Sequence, residues 1–340
     1  MATTVRDVAR KAGVSAMSVS RVVNDQSGVS AETRKKIEDA IAELDYVPSK
    51  LASGLVSAKS QLIGLIVPDV SNPFFAPIVH GAETTARKAG YRMLLCNSES
   101  DLRLEREYLA DLVAHRVQGV LIAPVGDRSD THLLRLKESN FPMVLLDRHV
   151  PGVECDSVTL DNVQGARQMT AHLIAIGHRR IACVTDAEDV STGRERRQGL
   201  QLALEEADIQ FSESLLLHST TDQLGGYRSA QQILRMHERP TAIFAVNNMT
   251  AVGIMQAMRE ANVKVPDDIA LVCFDDVQHL AVVSPFLTVI DQPAETMAQV
   301  AAQLLLERIG GFGGKKARNI SFPGKLVIRE SCGVKLRGNA

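Results

Sequence analysis

Along the first 46 residues, apolar positions recur at the three- and four-residue intervals of an amphipathic helix. One such face consists of Val5, Val8, Ala9 and Ala12. Gly13 interrupts this pattern, and Ser15 is a suitable N-cap for a second helix that ends near Asn24. Ser30 can cap a third helix, which Pro48 ends because the residue before a proline avoids the helical conformation. The pattern therefore predicts three short helices.

From residue 61 the pattern changes to short apolar runs that alternate with helical stretches. A first series of runs is followed by a second: 62–68, 92–96, 119–124 and 143–147, then 180–185, 241–246 and 269–274. Nearly continuous apolar strands between helices are typical of parallel sheets covered on both faces. We therefore predict an α/β fold, with an N-terminal all-α headpiece and two doubly wound parallel-sheet subdomains around a cleft.

The predicted first and second helices, joined by a tight turn at Gly13, form the pattern of a helix-turn-helix. Burial of the valines leaves an outward face with Ala16, Met17, Ser20, Arg21 and Asn24. A helix fits the DNA major groove, where an arginine such as Arg21 can donate two hydrogen bonds to guanine. A small three-helix core with a solvated second helix is equally consistent with this pattern alone.

Two longer strings favour the DNA-binding interpretation. VRDVARKAGVSAMSVSRVVND, at 5–25, and VSAETRKKIEDAIAELDYVPSKLASGL, at 29–55, closely resemble the headpiece and hinge of the lactose/galactose repressor family, and the resemblance extends along the whole chain. It implies that Ala16, Met17 and Arg21 read bases, and that Ser15 and Ser18 contact the DNA backbone or base edges, with Asn24 ending the same helix. It also implies a homodimer on a pseudo-palindromic operator, whose affinity changes allosterically when a metabolite binds.

The stretch 48–60 resembles the hinge of this family, which is helical on DNA. Gly54 supports this comparison, since a glycine inside a helix costs about 1 kcal/mol relative to alanine and the helix would need its partners. Leu55 matches the leucine that inserts into the minor groove and kinks the duplex. The expected domains are a headpiece at 1–47, a hinge at 48–60 and an effector-binding and dimerisation core at 61–340. Its N-subdomain would span about 61–160 plus 291–320, and its C-subdomain about 161–290 plus 321–340.

The core resembles the sugar-binding periplasmic proteins. Nine residues match positions that contact a pentose or hexose in those relatives: Asn72, Phe74, Phe75, Asp147, Arg148, Arg196, Asn247, Asp275 and Gln292. Carboxylates, amides and guanidinium groups suit vicinal hydroxyls, and an aromatic face packs on sugar C–H groups. Each residue alone also has an ordinary explanation, such as a helix cap or a core position. Together they predict a small sugar-like effector.

Two positions depart from the family pattern. Asn248 stands where members usually have an aspartate, and Thr221 lies near a position where many have an aromatic side chain. With one acid fewer beside Arg148 and Arg196, a sugar acid or sugar phosphate is also compatible. A purine corepressor, which could stack on Phe74, and a phosphorylated carrier protein are alternative regulators.

Composition narrows the remaining classes. A chain of 340 residues, 45% hydrophobic and with net charge −2, is an ordinary globular protein of more than one domain. The N-terminus has charges where a signal peptide has an apolar core, and no run approaches the roughly 18 apolar residues of a membrane span, so a cytoplasmic location is expected. That argues against a periplasmic binding protein, which also has no use for the headpiece.

The same survey predicts no enzyme, cofactor or metal site, because GxGxxG after a strand, GxSxG and metal-ligand clusters are missing from the sequence. The five scattered cysteines are expected to be reduced. The chain end lacks leucine heptads, so a dimer is expected and not a tetramer.

Overall fold

The computed structural model describes residues 3–23, 26–46, 60–276, 286–314 and 316–334. The chain divides into two compact units, 1–60 and 61–340. The predictions for Asn24, for Leu55 and for the helical hinge lie outside the described residues. Within those residues, no helix combines the length and the apolar character needed to cross a membrane.

The first unit contains the three predicted helices: Val5–Ala12 (α1), Ala16–Val23 (α2) and Ala31–Glu43 (α3). Thr4 is the N-cap of helix α1, and its side chain and backbone N–H are both hydrogen-bonded to Asp7. It ends at Gly13, whose φ of 66° is a left-handed conformation that glycine adopts without strain. Side chains from all three helices form one small core: Val8, Ala9, Val19, Val22, Ile37, Ala40 and Tyr46.

The second unit contains two six-stranded sheets. The first sheet consists of Leu62–Val67 (β1), Arg92–Asn97 (β2), Val120–Ile122 (β3), Met143–Asp147 (β4), Asp156–Leu160 (β5) and Asn319–Phe322 (β11). Its order is β11-β5-β4-β3-β1-β2, and every neighbouring pair is parallel.

The second sheet repeats this arrangement. It consists of Ile181–Thr185 (β6), Leu216–His218 (β7), Ala242–Ala245 (β8), Ala270–Phe274 (β9), Thr288–Asp291 (β10) and Lys325–Val327 (β12). Its order is β12-β10-β9-β8-β6-β7, and only β12 runs antiparallel to its neighbour among these strands. The predicted α/β class with two doubly wound sheets is confirmed.

Helices connect the strands on both sides of each sheet. Around the first sheet they are Phe75–Lys88 (α4), Leu102–Ala114 (α5), Asp130–Glu138 (α6) and Ala294–Ile309 (α11); around the second they are Asn162–Ala175 (α7), Ser191–Glu206 (α8), Gln223–Leu234 (α9) and Asn248–Glu260 (α10). The chain passes between the sheets after β5, after β10 and after β11. In each sheet the strand order reverses next to the first strand, and such a reversal opens a crevice at the carboxyl ends of the strands.

Candidate DNA-reading helix and effector cleft

Helix α2 presents the side chains that the sequence assigned to base reading. The Ser15 hydroxyl accepts a hydrogen bond from the backbone N–H of Ser18 at 3.1 Å and lies 2.9 Å from the Ser18 hydroxyl. The helix buries Val19 and Val22 in the headpiece core. Ala16, Met17 and Arg21 are exposed, and Met17 is 67% accessible although it is apolar. An exposed methionine on a short helix is consistent with an apolar contact to a partner surface.

In the second unit, the carboxyl ends of both sheets contribute to one cleft, which we call the effector cleft. Asp147 ends β4 of the first sheet, and Asp275 directly follows β9 of the second. Both carboxyl groups are buried, and each interacts electrostatically with Arg196. On the first-sheet side, Nη1 of Arg148 donates to the carbonyl oxygens of Pro124 and Val125, at 3.0 and 3.1 Å.

Arg196, on α8, is the most extensively bonded of the predicted cleft residues. Its Nε donates to Oδ1 of Asn162 at 2.8 Å, and its Nη1 donates to the Val246 carbonyl at 2.7 Å. The guanidinium carbon lies 4.0 Å from the centre of the Phe274 ring, which is a cation–π geometry. These contacts fix one arginine against α7, the end of β8 and the end of β9.

Gln292 lies where the chain passes from β10 to α11, and its Nε2 donates to Oδ1 of Asp275. Its own Oε1 is buried and has no hydrogen-bond partner among the described residues. Phe74, Asp275 and Gln292 line a cavity of about 680 Å³. That volume falls within the range of about 300–1,000 Å³ that is usual for small-molecule sites.

Three other predicted residues have local structural roles. Oδ1 of Asn72 accepts from the backbone N–H of Phe74 at 3.0 Å. Asn247 caps α10, where its Oδ1 accepts from the Thr250 N–H at 2.8 Å and its Nδ2 donates to the Thr221 carbonyl at 3.0 Å. Phe75 belongs to the hydrophobic core, in an edge-to-face contact with Phe74 at 5.1 Å. A direct role of these side chains in ligand binding stays a prediction.

Asp186 is a cleft residue that the sequence interpretation missed. It follows β6 and is buried against α8, where a Cβ on Gly193 would lie 3.0 Å from its Oδ2. Burial raises the pKa of Asp186, while Arg148, Arg196 and the Thr221 hydroxyl oppose that rise. An acid directly after an apolar strand was the available signal, as it was for Asp147 and Asp275. The cleft therefore holds three buried carboxyl groups beside two guanidinium groups.

Burial has the largest effect on the pKa values of these acids. Burial raises the pKa of Asp147, with Arg148 and Arg196 opposing, and it raises the pKa of Asp275 to about 6 against Arg196 and Gln292. A carboxylate in this state is short of hydrogen-bond donors, because burial removes the water that would otherwise solvate it. Hydroxyl groups of a ligand would supply such donors.

Asn248, the first family departure, is fully buried in the first turn of α10. Neither its Oδ1 nor its Nδ2 has a hydrogen-bond partner in the part of the chain that the structure describes. Buried amides without partners are unfavourable by about 1–3 kcal/mol per group. This orphaned side chain directly follows Asn247, at the carboxyl end of β8.

Comparisons with known proteins cover both units. Residues 4–49 match the model for bacterial regulatory proteins of the LacI family, and residues 60–330 match the model for periplasmic binding proteins and the sugar-binding domain of the LacI family. The HTH-type transcriptional repressor PurR of Photobacterium profundum is 35% identical over 328 residues, which cover 96% of this chain and 98% of that protein.

Solved structures agree with these matches over nearly the full length. The lac repressor dimer bound to operator and the anti-inducer ONPF superposes with a TM-score of 0.82 at 30% identity, covering 98% of this chain and 99% of that one. The complex of the transcriptional regulator CelR with cellobiose gives a TM-score of 0.73 at 30% identity, with 97% and 99% covered. The chain therefore belongs to the LacI family of bacterial regulatory proteins and is a DNA-binding transcriptional regulator.

Proposed function

We propose that the chain is a repressor that binds a pseudo-palindromic operator as a homodimer and changes its operator affinity when a neutral sugar binds in the effector cleft. The observation that carries this proposal is the set of polar side chains at the strand ends. Asp147, Asp186 and Asp275 offer acceptors to hydroxyl groups, and Arg148 and Arg196 offer donors. Donors and acceptors that interact with one another at the strand ends suit vicinal hydroxyls better than they suit an apolar ligand.

The charges favour a neutral sugar over a sugar acid or sugar phosphate. Counting Asp186, three buried carboxyl groups accompany two guanidinium groups, so acidic side chains outnumber basic ones in the cleft. An added anion would lie near carboxylates that are already poorly solvated, which is unfavourable. The sequence suggested an anionic ligand because Asn248 replaces an aspartate. Asp186 supplies another acid in the cleft, so this reason no longer holds.

A purine is the second candidate, because it could stack on Phe74 and because relatives at 32–35% identity bear the name HTH-type transcriptional repressor PurR. A purine ring hydrogen-bonds at its edge and presents two flat faces, so a site for it needs aromatic surfaces beside its polar groups. Phe74 is available but nearly buried, and Thr221 supplies a hydroxyl beside Asp186 where many family members have an aromatic ring. The polar side chain at this position favours a sugar over a purine as the effector.

Contacts between the two halves of the second unit can transmit the effect of ligand binding to the rest of the protein. Arg194 of α8 donates to Oδ2 of Asp127, which follows β3, at 2.9 Å, and the His149 N–H donates to the Ser191 hydroxyl at 3.2 Å. A ligand that contacts both halves would favour one arrangement of the sheets. DNA and effector affinities must then change by the same factor in each other's presence.

The effector is tested by calorimetric titration and thermal shift with D-ribose, cellobiose, D-gluconate, ribose 5-phosphate and hypoxanthine. We expect a neutral sugar to bind and, at 100 times its Kd, to stabilise the protein by about 2.7 kcal/mol. Binding of hypoxanthine alone would establish the purine candidate, and binding of the acids alone would contradict the charge argument.

The DNA role is tested with operators selected from a random duplex pool. We expect Arg21→Ala to weaken specific binding by about 1–3 kcal/mol and to relax the preference at one base pair, since Arg21 is exposed on α2 and, under this proposal, reads a base. Lys36→Ala is the matched control, because Lys36 is exposed on α3 and pairs with Glu32. Equal effects of the two variants, on specific and scrambled DNA alike, would contradict base reading by Arg21.

A further inference from the structure

Glu105 is an acidic residue buried outside the effector cleft. It lies on α5, and its side chain has no solvent exposure. Its Oε2 accepts from the backbone N–H of Val125 at 2.6 Å, and its Oε1 lies 2.7 Å from Nε2 of His132, a residue of α6 whose side chain is 11% exposed. Each carboxylate oxygen therefore has one partner, and the two partners come from different segments.

Val125 connects this pair to the cleft. The peptide N–H of Val125 bonds to Glu105, while its carbonyl and that of Pro124 accept from Nη1 of Arg148. Nε of Arg148 is buried without a hydrogen-bond partner in the described parts of the chain and lies 3.6 Å from Oδ2 of Asp147. Direct contacts thus lead from His132 through Glu105 and the segment 124–125 to a guanidinium group of the cleft.

We propose that Glu105 and His132 are positioning residues for effector binding, which hold the 124–125 segment so that its carbonyls fix the Arg148 guanidinium in the cleft. The proposal rests on the proposed function in that Arg148 binds the effector. Burying a carboxylate is unfavourable unless its oxygens are bonded, so apolar side chains would fill this space better if packing were its only role.

Four substitutions distinguish a positioning role of Glu105 and His132 from a role in packing alone. His132→Phe keeps a ring of similar size but removes the donor to Glu105, whereas His132→Gln places an amide nitrogen near the position of Nε2. Glu105→Leu removes both acceptors, and Glu105→Gln retains one acceptor oxygen. Glu107→Leu is the matched control, because Glu107 lies on the same helix, is exposed and forms an ion pair with Arg103.

The first measurement needs no effector. Phenylglyoxal modifies accessible arginine side chains, and mass spectrometry gives the modification rate at Arg148 in the intact protein. We expect the rate to rise several-fold in Glu105→Leu and His132→Phe, because the carbonyls at 124 and 125 would no longer be held. We expect rates within twofold of the wild type in His132→Gln and Glu107→Leu, and an intermediate rate in Glu105→Gln.

The second measurement is calorimetric titration with D-ribose, or with whichever sugar of the panel the wild type binds. We expect Kd to rise about tenfold in His132→Phe, to recover in His132→Gln, and the operator Kd without sugar to stay unchanged. Wild-type Arg148 modification rates in folded His132→Phe and Glu105→Leu would overturn the proposal. An altered rate with an unchanged sugar Kd would also overturn it. If the wild type binds no sugar, the proposed function fails, and the modification rates still decide whether Arg148 is positioned in this way.

Discussion

Asp147 and Asp275 adopt the same left-handed backbone conformation, with φ values of 66° and 68°. They lie at the carboxyl ends of β4 and β9, which occupy the same position in the two sheets. Residues other than glycine rarely adopt this conformation, although aspartate tolerates it better than most. In both residues it accompanies a buried carboxyl group whose pKa is raised by burial. Strain and desolvation together at two equivalent strand ends indicate a site arranged for a ligand and not for stability.

The pKa of about 6 at Asp275 gives a stability test with a definite sign. A carboxyl group with a raised pKa contributes stability that is fully present below its unfolded pKa, near 4, and is lost as pH rises through about 6. Asp275→Asn does not ionise. We therefore expect its stability relative to the wild type to increase by roughly 3 kcal/mol between about pH 4 and pH 7.

Urea unfolding at both pH values measures this difference, and Asp291→Asn provides a half-buried comparison on the neighbouring strand β10. A relative stability that does not change with pH would contradict the raised pKa. Under the proposed function, Asp275→Asn should also lose sugar affinity, so the same substitution would gain stability and lose binding.

Arg196 offers a second prediction, which concerns geometry more than charge. Lysine keeps the positive charge, but it cannot donate to Asn162 and Val246 in the same plane while lying flat on Phe274. We expect Arg196→Lys to destabilise the second unit by about 1–3 kcal/mol, because it leaves a buried acceptor unpaired.

The conservative replacement Arg167→Lys is the control, since Arg167 makes an exposed ion pair with Glu206 and such pairs contribute about 0–1 kcal/mol. Chemical denaturation of both variants checks the comparison. Equal stability losses would mean that the bonds and the ring contact of Arg196 contribute no more than a surface arginine does.

The elements that sequence alone predicted are those with a strong apolar signal. Strands such as β1 and β9 are buried almost throughout, so their residues form unbroken apolar runs. Five strands were not predicted: β5, β7, β10, β11 and β12. One face of β5 carries polar side chains, and β11 is an edge strand with alternating exposure. Strands that are short or that mix polar and apolar side chains contain no unbroken apolar run by which the sequence could indicate them.

Part of the candidate site could also be predicted from apolar strands, but the prediction of its residues was incomplete. Asp147 and Asp275 stand out because an acid directly follows an apolar strand, and the same signal was present at Asp186. The second role of Asn247, as the cap of α10, could not be separated from ligand binding, because an asparagine after a strand serves either purpose. The contacts from Glu105 to Arg148 join residues far apart in sequence, so no spacing could indicate them.

Asp156, at the start of β5, bonds to the end of α11 and to the residue before β11, and it gives a third prediction. Its buried carboxylate accepts from Nε of Arg308 at 2.9 Å and from Nη2 of Arg318 at 2.8 Å. Burial alone would raise the pKa of Asp156, but the hydrogen bonds from both arginines outweigh it, so the pKa is lowered. The stability that it contributes is present above pH 4 and is lost as pH falls through the lowered pKa.

We expect Asp156→Asn to cost about 3 kcal/mol at pH 7, because two partly buried guanidinium groups lose their counter-charge. The cost should shrink as the wild-type carboxyl group becomes protonated below about pH 3. Urea midpoints at both pH values measure this. Asp161→Asn is the control, since Asp161 caps α7 from an exposed position. A cost that does not depend on pH would show that charge pairing is not the cause.

The last prediction concerns β2, an edge strand of the first sheet. Two adjacent leucines on it, Leu94 and Leu95, are 38% and 46% exposed, an unusual state for apolar side chains at a free sheet edge. We expect that a second copy covers this edge in the proposed homodimer. We therefore expect Leu94→Asp combined with Leu95→Asp to give monomers in sedimentation velocity experiments, because a dimer would bury the new charges.

The double variant should also bind a full operator much more weakly than the wild type, since a monomer can occupy only one half-site at a time. Leu224→Asp is the control, because Leu224 is an even more exposed leucine, on α9 beside the second sheet. A melting temperature close to that of the wild type would show that the monomer is folded. A double variant that remains dimeric would place the dimer interface elsewhere on the chain, and a monomeric Leu224→Asp variant would move it to α9.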